Sequence, residues 1–145
     1  MILGIYFFKG GKPMKEIINN EFAKLIVYPG KKIVHHQFKK FIFGDAFREV
    51  MTKGVDAFVK YKCTKWLSDD RENAALRQED IQWGQKHWEK RILEKGWKHW
   101  ALIMPKKTVG QITMKGIIER NKNLGVAVEI FPNPTQAMEW LEKQE

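Results

Sequence analysis

The residues best suited to chemistry gather where two apolar runs end. Ser68, Asp69, Asp70 and Arg71 close the run TKWLS, and Lys106 and Lys107 follow WKHWALIM and a proline. Ligands of open α/β sheets bind at the carboxyl ends of the strands. Ser68, Asp69, Arg71, Lys106 and Lys107 therefore make a candidate ligand or phosphate pocket. Arg71 would clamp an anion there, and the two lysines would hold it beside the next helix. The competing reading is an ion pair between Asp69 and Arg71 that holds the loop. It is the favoured one, because such pairs are common and individually weak.

Other reactive residue types yield less. His35 and His36 are neighbours on a strand pattern, so their rings point to opposite faces and cannot share a metal without distortion. His87 and His99 have no cysteine or carboxylate at metal-ligand spacing. All four read as surface or hydrogen-bonded histidines. Cys63 is the one cysteine. Lys62 and Lys65 lie near it, but no histidine is assignable as its base, so it reads as a buried structural thiol. Neither a Gly-x-Gly-x-x-Gly nor a Gly-x-x-x-x-Gly-Lys-Ser/Thr run occurs. We assign no catalytic residue, no metal set and no cofactor, and do not expect an enzyme.

Six tryptophans stand in the chain. Trp66, Trp88, Trp97, Trp100 and Trp140 fall on strand patterns or helix faces and are expected in or near the core. Trp83 lies off the main stripe of its helix together with His87. These two make a candidate interface, since tryptophan is enriched at binding hot spots. Core or boundary packing is the competing reading.

The patterns that must position these residues alternate strand and helix. KLIVY (24–28) and KIVHHQF (32–38) flank Pro29-Gly30, a hairpin signal in which glycine supplies a positive φ. A helix over 45–62 carries Phe47, Met51, Val55 and Phe58 on one stripe, with Gly54 beside it to allow close packing. A strand at 64–68 is followed by a polar loop at 69–73. The helix over 78–95 places Glu79 and Asp80 in its first turn, where negative charge suits the macrodipole. Ile81, Gly84, Trp88 and Ile92 form its expected buried face, and Gly96 its left-handed stop. A strand at 97–104, a helix over 109–123 and a strand at 126–131 come next. The closing helix is capped by Asn133 ahead of Pro134 and Gln136, with Ala137, Trp140 and Leu141 inward. The expectation is one α/β domain over 21–145: a mixed, mostly parallel sheet of about five strands, an N-terminal antiparallel hairpin and about four helices. Residues 1–20 would be an N-terminal extension, either an extra strand or a loose tail.

The length of 145 residues suits one domain, and 43 % hydrophobic with 30 % charged residues suits a packed core. The formal net charge is +9, with four Glu and one Lys from 124 to 145 leaving +12 on the rest. A basic surface attracts nucleic acid, anionic lipid or acidic proteins. Without a nucleic-acid motif, a solvated surface is the better reading and nucleic acid is an unfavoured partner. The apolar start MILGIYFF is too short to span a bilayer and lacks the marks of a secretory signal. The expectation is a cytoplasmic protein with no transmembrane segment.

The hairpin KLIVYPGKKIVHHQF, the stretch VKYKCTKWLSDDR, the run KGWKHWALIMPK and the tail GVAVEIFPNPTQAMEWL together resemble the SpoIIAA-like division of the STAS superfamily. The resemblance covers residues 23–141. It implies a STAS-like fold and a non-catalytic regulatory or interaction module working through protein partners or self-association. In the family's antagonists a phosphorylatable Ser or Thr opens a tight glycine turn after the third strand. The corresponding stretch here runs from Ser68 through two aspartates with no glycine, and added phosphate would meet like charge. SpoIIAA-like proteins are also similar in fold to Sec14-type lipid carriers. That makes a small hydrophobic-ligand or lipid-binding carrier the alternative, and a basic-surface nucleic-acid binder the second alternative.

Overall fold

Period-two apolar runs form the strands and stripes at three- and four-residue spacing form the helices, as the patterning from residue 23 onward requires. The computed structural model describes residues 4–7 and 13–145. Its strands are β1 (Gly4–Phe7), β2 (Pro13–Asn19), β3 (Ala23–Tyr28), β4 (Ile33–Phe38), β5 (Lys65–Asp69), β6 (His99–Ile103) and β7 (Ala127–Ile130). They form one seven-stranded sheet whose spatial order is the sequence order. The pairs from β1 to β4 are antiparallel, and those from β4 to β7 are parallel.

The sheet is thus wider than the expected five strands. The difference lies in β1 and β2, which extend the antiparallel side beyond β3. The run PMKEIIN of β2 hides its period because the register shifts between Glu16 and Ile18. That irregularity still brings Ile18 into the core.

The helices are α1 (Gly44–Lys60), α2 (Gln78–Trp83), α3 (Lys90–Glu94), α4 (Thr108–Asn123) and α5 (Pro134–Glu142). A π-helical segment, Gly84–Glu89, joins α2 to α3 in one continuous run. Apolar residues of α1, α3 and α4 pack on the sheet face formed by Val34, Trp66, Trp100 and Val128. The other face of the parallel strands (Ile33, Leu67, Ala101 and Ile103) is covered by Ala137 and Leu141 of α5. Trp140 is only half-buried there.

Local signals act largely as expected. The Asn133 side chain accepts from the Gln136 N–H at 2.9 Å and caps α5. Gly96 and Gly125 end their helices at φ +91° and +99°. At the hairpin the left-handed residue is Lys32, at φ 60°, and not Gly30. There Pro29–Lys31 forms a 3₁₀ turn that moves the positive φ two residues on. Gly54 faces the Trp66 indole so closely that a Cβ would collide with Cη2. This contact seats α1 against β5, where Trp66 and Phe58 are fully buried. Burying side chains of this kind contributes about 1.5–3 kcal/mol each.

Candidate functional site: an aromatic cavity between sheet and helices

Period two on β4 and β5 sends His36, Phe38, Trp66 and Ser68 to the helix-covered face. Between that face and the helices lies a cavity of about 80 Å³. Its floor comes from His36, Phe38, Ser68 and Trp100, with Asp70 just past the end of β5. Phe47 and Met51 of α1 form one wall, and Met114, Ile117 and Asn121 of α4 another. The lining also takes Asp80 and Ile81 of α2 and Gly84, Gln85, Trp88 and Glu89 of the π-helical segment. A π-helical segment carries an extra residue per turn, and such segments recur at functional sites.

The polar side chains here are built into a network. The Trp66 indole N–H donates to His36 Nδ1 at 2.9 Å, and His36 Nε2 lies 2.7 Å from Asp70 Oδ1. With Nδ1 accepting, the imidazole hydrogen sits on Nε2 and donates to Asp70. The Trp100 N–H donates to Ser68 Oγ at 2.8 Å. Asp80, buried in α2, accepts from the Gly44 N–H at 3.0 Å and so caps the start of α1. Its other oxygen lies 3.6 Å from Arg48 Nε. Asp80 lies in the first turn of its own helix as expected, and it serves the start of α1 as well. Glu89 is buried and takes a two-pronged bond from Arg120 of α4 at 2.8–3.1 Å, which raises the Arg120 pKa. Among the described residues, two buried polar atoms on cavity residues have no partner: Trp88 Nε1 and Asn121 Oδ1. Asn121 is only 2 % exposed, and its Nδ2 donates to the Ile117 carbonyl.

The pocket expected at the strand ends does not assemble as one group. Ser68 faces the cavity, whereas the neighbouring Asp69 faces the opposite side of the sheet. Asp69 is held there by Arg71, whose Nε and Nη2 donate at 2.9 and 2.7 Å. This ion pair, which also raises the Arg71 pKa, is the loop-holding alternative drawn from the sequence. Lys106 is exposed and pairs with Glu72. Lys107 is exposed and precedes α4 with no side-chain cap bond. Trp83 and His87 do come together, with ring centres 5.8 Å apart. His87 is exposed, while Trp83 is half-buried against Phe47 and beneath Arg48.

The remaining reactive types are placed as follows. His35 stacks on Tyr28 across the sheet, and both its ring nitrogens are buried without a partner among the described residues. Burial first, then the neighbouring His36, lowers its pKa to about 4. Cys63 is buried, and burial pushes its thiol up to about 12. Among the described residues no three His, Cys, Asp or Glu side chains gather as a metal set, and no helix is long and apolar enough to cross a membrane.

No family model, curated protein or solved structure matches the chain.

Sequence reasoning named Asp70 at the strand end but missed its pairing with His36, and missed Asp80, Glu89 and Asn121 as cavity residues. Asp80 and Glu89 flank the apolar stripe of their helix, and Asp80 was read only as a first-turn charge. The π-helical segment moves Glu89 off the α-helical pattern, and nothing in the residue types announces it. For Asp70 there was a cue: two residues beyond Trp66 and Ser68, it continues the alternation onto the same face.

Proposed function

We propose that this protein is a non-catalytic, STAS-like module that binds a small, largely apolar ligand in the cavity between sheet and helices. Of the readings drawn from the sequence, this is the carrier alternative. The observation that carries it is the aromatic cavity with Asn121 Oδ1 and Trp88 Nε1 left unpartnered in its lining. Buried polar atoms are normally satisfied, so a pair of unsatisfied ones beside an apolar cavity fits a site that something fills. A catalytic reading has less support. Ser68, His36 and Asp70 share the cavity, but His36 Nδ1 is occupied by the Trp66 indole and Ser68 by the Trp100 indole.

The resemblance to SpoIIAA-like domains belongs to this proposal, supported by the parallel β4–β7 arrangement with its intervening helices. The test is a titration with small alcohols and amines followed through the tryptophan indole N–H resonances. Saturable shifts at Trp88 and Trp100 are expected. Gly84 lines the cavity and a Cβ there meets nothing within 4 Å, so Gly84→Leu should abolish the shifts without unfolding the chain. Absence of any saturable shift overturns the reading.

A protein-contact function is favoured by a different feature. Phe41 and Phe43 are 39 % and 42 % exposed beyond the end of β4, and the Arg77 guanidinium lies 3.7 Å from the Phe43 ring centre. Exposed aromatics with a stacked arginine have the composition of interface hot spots. Native mass spectrometry that finds neither self-association nor a retained protein weighs against that reading.

A further inference from the structure

Resting on the reading that the cavity holds a ligand, we propose that this ligand presents a compact organic cation, a small protonated amine or alkylammonium group. The cavity lining contains three carboxylates, Asp70, Asp80 and Glu89, and no Lys or Arg. This is the reverse of the chain as a whole, which carries +9. Two of the carboxylates are already matched by guanidinium groups that reach in from outside the lining. Arg48 lies against Asp80, and Arg120 grips Glu89. Asp70 differs. Its side chain is 7 % exposed, and its ring partner His36 offers only the Nε2 hydrogen, because Nδ1 accepts from Trp66. Among the described residues no Lys or Arg pairs with Asp70. A buried carboxylate gains most from a cation that stays with it.

Apart from the Trp88 N–H, a donor that an ammonium group leaves unmatched, the rest of the lining suits the same guest. Asn121 is 2 % exposed and offers Oδ1, an acceptor with no donor among the described residues. Ammonium groups donate and do not accept. Trp88, Trp97 and Trp100 line the cavity, and aromatic faces attract cations, tryptophan most of all. An anion would meet carboxylates without a cation in the lining, and a hydrocarbon would leave Asn121 Oδ1 without a donor and the Asp70 carboxylate without a cation. Size sets the upper limit. A cavity of about 150 Å³ holds benzene. The about 80 Å³ here therefore suits a head group of roughly three to five heavy atoms.

The experiment compares isobutylammonium, isobutanol and isovalerate, which share an isobutyl body and differ in charge (isovalerate is also two heavy atoms larger, so the amine–alcohol pair decides), titrated into the full chain at matched ionic strength. Indole N–H shifts give the affinities. Isobutylammonium should bind about ten-fold more tightly than isobutanol, and isovalerate should be weakest. Asp70→Asn should bring the amine and the alcohol within about three-fold of each other. If isobutanol binds the wild-type chain as tightly as the amine, the cation assignment is overturned while the cavity reading stands. If none of the three gives a saturable shift, both fall. The wild-type comparison decides the matter alone should Asp70→Asn not fold.

Discussion

The indole N–H of Trp66 and the Nδ1 atom of His36 lie 2.9 Å apart on neighbouring parallel strands, both buried. The bond fixes the hydrogen of His36 on the side of Asp70, so one tryptophan orients a three-residue chain that reaches the cavity. Replacing His36 with leucine keeps the volume roughly constant and orphans both the Trp66 donor and the Asp70 carboxylate. Leaving such groups unpaired costs about 1–3 kcal/mol each. Urea unfolding should show a loss of about 2–5 kcal/mol. A loss below about 0.5 kcal/mol would mean that the network contributes little.

Gly54 and Trp66 give a second measurable case. Alanine raises helix propensity by about 1 kcal/mol relative to glycine. Here its Cβ strikes a fully buried indole. Overpacking of a tight core costs typically 1–3 kcal/mol, so Gly54→Ala should be net destabilising despite the propensity gain. Trp66→Phe in the same chain should reduce the penalty of the alanine. Additive effects in that double-mutant cycle would show that the contact is not the cause.

His35 makes stability depend on pH. Its folded pKa is lowered to about 4, against 6.5 for the ordinary side chain. Between these values the unfolded chain binds the proton and the folded chain does not, so stability falls as pH drops from about 6.5 towards 4. Above that window the contribution is constant. With both ring nitrogens buried, we expect a loss of about 3 kcal/mol across the window. Chemical unfolding of His35→Phe over the same range should show a flatter profile, and an unchanged slope would assign the effect elsewhere.

Arg120 reaches from α4 to the buried Glu89 on the π-helical segment. Truncating it leaves a carboxylate 6 % exposed without its guanidinium. The arginine side chain is half-exposed, so solvent screens part of the loss, and Arg120→Ala should cost about 1–3 kcal/mol. Arg120→Lys should recover only part of this, since a lysine cannot make the two-pronged bond. Full recovery would show that charge alone matters.

Cys63 should be inert in the folded chain. A thiol raised to about 12 and 1 % exposed offers almost no thiolate at neutral pH. Labelling with an aromatic disulfide reagent should be slow in buffer and complete within the dead time in denaturant. Rapid labelling of the folded chain would contradict this placement.

The fold from β3 onward was legible because its signals are local. Asn133 capped the helix it was expected to cap, and the stripe of Phe47, Met51, Val55 and Phe58 lies against the sheet. β2 was harder to see because a register shift breaks the period at Ile17. The cavity was harder still. Asp70, Asp80 and Glu89 are buried by partners 34, 36 and 31 residues away, and single-chain patterning does not see such pairings. The attention given to Ser68, Asp69 and Arg71 was drawn to the correct strand end, but consecutive residues on a strand face opposite sides. Only Ser68 of these three therefore belongs to the cavity.

The strictly sequential order of the strands has a consequence for synthesis. Each new strand from β2 to β7 finds the edge of the preceding one still open, so the sheet can be extended while the chain is emerging from the ribosome. The closing helix breaks that rule, because it doubles back beneath β5 and β6. Until residue 141 is free, Ile33, Leu67, Ala101 and Ile103 stay wet on the underside. A nascent chain halted after β7 would therefore expose one greasy face and present the natural target for a holding chaperone.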